Sequence, residues 1–139
     1  MEFDLPLERL DYVDCAIFPL LDDSLVFEPV FPVIVPEENV PTLLEYITRV
    51  NSGSSQGAFI FDMDRRLLSF KVYNMFARDA EYEEIEEILQ SMVYRGIGAV
   101  EDSEDDIADI LEGAEDANAL YIRYKLRMAN LLKELESKK

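Results

Sequence analysis

Histidine and tryptophan are absent from the 139-residue chain, cysteine occurs once, and 13 basic residues stand against 30 acidic ones. Without histidine the commonest acid–base group and metal ligand is missing, and no serine can be paired with an imidazole base. Cys15 alone can build neither a thiolate metal site nor an intrachain disulfide, which suits a reducing compartment. No apolar run approaches the ~20 residues of a membrane span. The opening segment MEFDLPLERLDYVD is acidic where a secretory leader is basic. The expected setting is cytoplasmic, with no membrane contact. A formal charge of −17 opposes binding to nucleic-acid phosphates or to an anionic bilayer. That leaves a solvated acidic surface or a basic protein partner.

The charge is unevenly spread. Asp79 to Asp116 holds 15 carboxylates against Arg95 alone, a net of −14, whereas 117–139 carries a net of +4. A hydrophobic fraction of 49% is ordinary for a folded domain. A chain of this length can bury roughly 70% of its unfolded surface in one core, so disorder is not expected despite the charge.

Ala58 to Phe76, AFIFDMDRRLLSFKVYNMF, organises the rest. Phe59, Phe61 and Met63 alternate with Ala58, Ile60 and Asp62; after a turn at Asp64-Arg65-Arg66, Leu68, Phe70 and Val72 alternate with Ser69, Lys71 and Tyr73. Such period-2 alternation predicts an antiparallel hairpin with one buried face. The turn lacks Asn-Gly or Asp-Gly, so a loop of three to five residues is expected. Phe59, Phe61, Leu68, Phe70 and Val72 are the expected core, beneath helices containing Ile47 and Ile85.

Upstream, Leu7, Leu10 and Val13 are spaced for a short helix that Pro6 could open. Cys15 to Leu21 and Leu25 to Val35 read as a second hairpin about Asp22-Asp23-Ser24. Pro29 and Pro32 cannot donate to a ladder, which predicts an edge or bulged strand. Asn39 is a candidate cap for a helix over Pro41 to Val50 with Leu43, Leu44, Ile47 and Val50 on one face. NSGSSQG, 51–57, then forms a flexible loop.

Beyond Phe76, Asp79 is a candidate cap for a helix with Tyr82, Ile85, Ile88, Leu89 and Met92 as its core stripe and Gly96 as its stop. Ser103-Glu104-Asp105-Asp106 is an imperfect capping box that would start a separate short helix through Ile107, Ile110 and Leu111. A last helix from about Glu115 to Glu136 repeats apolar residues at Ala117, Tyr121, Tyr124, Met128, Leu131 and Leu135, a heptad seam widened by Leu120 and Leu132. Arg123, Lys125, Arg127 and Lys133 occupy its other faces, opposite in sign to the preceding stretch. Leu120, Tyr121, Tyr124, Met128, Leu131 and Leu135 are therefore the candidate protein or dimer contacts. A homodimer through this helix competes with packing inside one chain.

Chemical motifs are few. Gly53-Ser54-Ser55-Gln56-Gly57 matches G-x-S-x-G, but a nucleophile elbow needs a strand before it and a helix after it, the reverse of this order. Asp102, Glu104 and Asp106 imitate a calcium loop, yet Ile107 stands where its glycine is required. Helix capping and solvation account for that run. No catalytic residue, metal ligand or cofactor site is read from the sequence.

The elements from Leu25 to Gly113 resemble those of the YbjN family of small bacterial domains. The resemblance is carried by Leu25–Val35, the helix ending LEYITRVN at 44–51, Gly57-Ala58-Phe59-Ile60-Phe61-Asp62, the strand Leu67–Tyr73 and the helix Tyr82–Met92, with the pattern N…GxF…D. It implies an α+β fold similar to the chaperones of type III secretion: an antiparallel sheet of four to five strands covered by helices, here with an added C-terminal helix. Residues 1–116 would form that domain and 117–139 the helix, packed on it or on a dimer mate. What it implies of function is dimerisation and protein binding, with a loose regulatory label. The short or missing first helix and the basic last helix depart from the family pattern. The expected function is a non-enzymatic, acidic, adaptor- or chaperone-like protein-binding module. The alternatives are an acidic decoy of nucleic acid, of immunity type, and a carboxylate-only enzyme.

Overall fold

The computed structural model describes residues 1–54 and 57–138. Five strands, β1 (Glu2–Pro6), β2 (Tyr12–Leu21), β3 (Ser24–Val30), β4 (Ala58–Asp62) and β5 (Leu67–Met75), form one antiparallel sheet in the order β1-β2-β3-β5-β4. Three helices accompany it: α1 (Val40–Ser52), α2 (Tyr82–Leu111) and α3 (Ala117–Ser137). The fold is α+β, as the alternation patterns imply. No helix among the described residues is long and apolar enough to cross a membrane.

One face of the sheet carries the core. Register places Phe3 beside Cys15, Leu5 beside Val13, Phe27 beside Val72 and Phe59 beside Phe70, so alternate residues of the strands share the core face, with α2 packed on β3 and β5 and α1 on β4. Phe59 meets Phe70 edge-on at 4.9 Å between ring centres. Phe59, Leu68, Phe70 and Val72 are buried as expected, while Phe61 is half-buried on the edge strand and Met63 lies exposed in the turn. That turn spans four residues. Asp62 Oδ1 accepts from the amides of Asp64 and Arg65 at 3.0 Å each, and Arg66 adopts φ 56°.

The structure overturns four local expectations. The segment spaced for a helix at Leu7, Leu10 and Val13 is instead the turn between β1 and β2, with Val13 already in β2. Phe3 and Leu5 pair across to Cys15 and Val13, and Asp11 takes φ 69°. The strand with Pro29 is the central strand, not an edge. Its ladder to β5 registers Phe27 opposite Val72 and resumes at Val30 opposite Ser69, so Pro29 sits in the gap. Asn39 holds the N-cap position of α1, with Pro41 in the first turn, but its side chain makes no cap; its amide instead donates to the Leu111 carbonyl at 3.2 Å, tying down the end of α2.

The fourth correction concerns α2. Asp79 does not cap it, Gly96 does not stop it and Ser103 does not start a new helix: α2 is continuous over 30 residues. A Cβ on Gly96 would lie 2.5 Å from the Phe27 ring, so this glycine lets the helix rest on β3. The Ser103 hydroxyl donates back to the Ala99 carbonyl at 2.7 Å, an in-helix bond rather than a cap. At Gly98, two residues from Gly96, a Cβ would meet nothing within 4 Å.

The two glycines should respond with opposite signs. Gly96→Ala overpacks the Phe27 contact and should cost about 1–3 kcal/mol. Gly98→Ala should stabilise by about 0.5–1 kcal/mol through helix propensity. Urea unfolding of both variants measures this, and equal effects would mean that α2 does not rest on Phe27.

Candidate functional site

Where the three helices meet, a carboxylate is fully buried. Asp106 of α2 has 0% exposure and is held from two sides. Tyr46 of α1 donates its hydroxyl to Oδ2 at 2.6 Å; Arg123 of α3 donates Nε to Oδ1 at 2.7 Å, and Arg127 donates Nη2 to the same oxygen at 3.2 Å. Asp102, Asp106 and Asp109 are spaced by four and three on α2, and Arg123 and Arg127 by four on α3, so the two rows face each other. Arg127 also donates to the Asp102 carbonyl, and Arg123 reaches Asp109 Oδ2 at 2.8 Å. Arg9, from the β1–β2 turn, pairs with Asp105, Asp109 and Glu112.

The titration of the neighbours follows. Arg123, followed by Arg9, holds the Asp109 carboxyl below its usual range, against a smaller opposing effect of burial. Burial, then the adjoining Asp106, pushes the Tyr46 phenol far up, so it remains a donor. Burial raises Asp102, with Arg127 acting the other way. Every buried side-chain nitrogen or oxygen among the described residues has a hydrogen-bond partner. The cluster is a closed network and works as a lock between helices.

Glu104 faces a different way and accepts from the amides of Arg9 and Leu10 at 2.5 and 2.9 Å. Two of the three carboxylates in the run resembling a calcium loop, Glu104 and Asp106, are thus spent on the chain's own cations and amides. Capping and solvation, the expected explanation, is replaced by tertiary pairing.

Beside this junction lies a groove of about 710 Å³ between the middle of α2 and the distal half of α3. Tyr94, Ile97, Gly98 and Ala99 form the α2 wall; Tyr124, Met128, Leu131 and Leu135 form the α3 wall; Val50, Phe59 and Phe70 contribute from α1 and the sheet. Four of the six candidate contact residues therefore line one surface. Leu120 does not, being buried in the chain's own core, and Tyr121 packs half-buried against that core. Along α3, exposure rises to 39% at Leu131 and 61% at Leu135.

The residues of the N…GxF…D pattern all have backbone duties. The Asn51 amide donates to the Phe59 carbonyl at 2.9 Å and its oxygen accepts the Phe59 amide at 2.8 Å, closing the outer edge of β4. Gly57 has φ 156°, and a Cβ there would lie 2.7 Å from the Lys71 carbonyl. Asp62 builds the hairpin turn. The serine at the centre of G-x-S-x-G, Ser55, lies outside the described residues, as does Gln56 in the expected flexible loop.

Sequence reading missed Asp106, Tyr46 and the α2 wall. The four-residue spacing of Asp102 and Asp106 against that of Arg123 and Arg127 was the available signal. Removing both arginines strands a buried carboxylate and should cost about 3–5 kcal/mol. Asp106→Ala should cost less, because the freed guanidinium groups can reach water. Tyr46→Phe should cost about 1.5–3 kcal/mol, the range for a hydrogen bond to a charged group. Equal loss for the double arginine variant and Asp106→Ala would contradict the burial argument. Because Asp109 has a depressed folded pKa, its contribution is present above its unfolded value near 3.9 and lost as pH falls through the folded one. Asp109→Asn should therefore flatten the acid limb of stability against pH, measured by thermal unfolding. Compared with family models, curated proteins and solved structures, the chain matches none.

Proposed function

We propose that this chain is a non-enzymatic protein-binding module, an acidic adaptor that takes its partner in the groove between α2 and α3. The observation that carries this reading is the apolar surface left over once the fold is complete. Leu131 and Leu135 have no core to enter, yet they face Tyr94 and Ile97 across an open groove. The lock at Asp106 supports the same reading, since its acids and bases are consumed by one another. The sequence resemblance to the YbjN family, and through it to secretion chaperones, points the same way. A decoy of nucleic acid would need its carboxylates free, and those at 105–112 are largely paired with Arg9 and Arg123.

Self-association through α3 is a second reading, favoured by Ile122, Leu126 and Leu132, all exposed outside the groove lining. Truncation from Ala117 is a poor test, because Ala117 and Leu120 belong to the core. Leu126→Glu leaves the core intact and should convert a dimer to a monomer by light scattering. A wild-type chain already monomeric at high micromolar concentration would end this reading.

Groove binding is tested by affinity capture from the native cell with wild-type bait and with Gly98→Leu, which fills the groove from its α2 wall. Specific proteins should be retained by the wild type, released as salt rises through the physiological range, and absent from the variant. Retention of the same proteins by both baits would reject the groove.

A further inference from the structure

We infer that the occupant of the groove is an amphipathic α-helix whose apolar stripe is flanked by lysine or arginine. This rests on the protein-binding reading and adds the chemistry of the partner. The first argument is shape. Both long walls are helices, and α3 is locked to the body only through its first half, by Ala117, Leu120, Arg123 and Arg127. Beyond Met128 its residues are exposed, and the groove between them and α2 is a surface of the kind into which a third helix packs.

Gly98 is the second argument. Glycine inside a helix is unfavourable, and Gly96 is explained by the Phe27 ring. No contact within the chain explains Gly98, since a Cβ there would touch nothing within 4 Å. On the wall of a groove, a missing side chain admits the close approach of another backbone. Met128 on the facing wall is an adaptable surface for a stripe of leucine or isoleucine.

Charge selects the flanks. Glu101, Asp102 and Glu134 line the groove, and among the described residues none of the three makes a side-chain ion pair. Arg127, which donates to the Asp102 carbonyl, is turned to Asp106. Arg95 and Lys138 also stand on the lining, but the 79–116 stretch behind Arg95 has a net charge of −14 and the whole chain −17. An acidic helix would add to that repulsion, whereas a basic one relieves it.

The probe is a labelled synthetic helix of about 18 leucine and lysine residues, roughly 27 Å long, with leucine at i, i+3, i+4 and i+7. Its binding to the full chain is read by fluorescence anisotropy at physiological salt. Two comparators are a scrambled peptide of the same composition and a leucine–glutamate helix. The stripe-bearing basic helix should bind about tenfold tighter than either, a difference of about 1.4 kcal/mol. Gly98→Leu, and independently Leu131→Asn on the other wall, should abolish the difference while leaving the circular dichroism unchanged. Equal binding of the scrambled peptide would reduce the effect to net charge and overturn the inference. Equal binding of the glutamate helix would overturn the choice of flanks. A dimer by light scattering that the peptide does not dissociate, with no peptide bound, would assign the groove to a second copy. Loss of captured proteins on Gly98→Leu without preference for the basic helix would overturn this inference alone. Capture unaffected by Gly98→Leu would instead reject the groove itself.

Discussion

A buried carboxylate sets the geometry of the helical layer. Taking Asp106 out of water costs several kcal/mol, and that cost is offset only when Tyr46, Arg123 and Arg127 all reach it. Tyr46 comes from α1 and the two arginines from α3, so satisfying one side chain fixes α1, α2 and α3 together. Hydrophobic contact is non-directional and would tolerate a rotated α3. The arginine fork would not, because its donors must meet one carboxylate oxygen. The network thus contributes uniqueness of docking, while Leu43, Ile107, Ile110 and Leu120 supply the apolar burial around it.

The elements legible in the sequence are those whose signals are local. The 58–76 hairpin shows period-2 alternation, α1 a one-sided stripe, and α3 an apolar seam, to which the structure adds a cap at Asp116 through the Ala119 amide at 3.0 Å. Misreadings arose where a local signal served a distant contact. Gly96 reads as a helix stop, but its use is to accept Phe27, nearly 70 positions away in sequence. Ser103-Glu104-Asp105-Asp106 reads as a cap, yet Glu104 caps a turn at the other end of the chain. Pro29 reads as the mark of an edge or a bulge, and only the three-dimensional ladder reveals the gap that admits it. The apolar seam of α3 was visible as a candidate site; its opposite wall was not, because no sequence pattern links Tyr94 and Ile97 to Leu131.

The N…GxF…D pattern teaches a related point. Residues that make a sequence look familiar here satisfy backbone groups: Asn51 at the β4 edge, Gly57 where Lys71 leaves no room, Asp62 at the turn. Such a pattern speaks for a shared backbone path. Function has to be argued from the groove, which contains only Phe59 of that set.

Energetics limit what the groove can hold. Full burial of a leucine side chain is worth about 1.5–3 kcal/mol relative to exposure, and Leu131 is already more than half covered. Leu131, Leu135 and the exposed Tyr94 therefore supply only a modest apolar gain, against association costs of at least about 4 kcal/mol. The floor formed by Phe59 and Phe70 adds little, since both rings are buried by the chain itself. The partner we propose would then have to bring its own apolar stripe, with electrostatic attraction carrying part of the encounter. That combination describes a reversible contact whose rate of formation depends on salt. It also accounts for an unusual division within one helix: the first half of α3 is committed to Asp106 and the core, and the second half retains an apolar face that its own fold does not need.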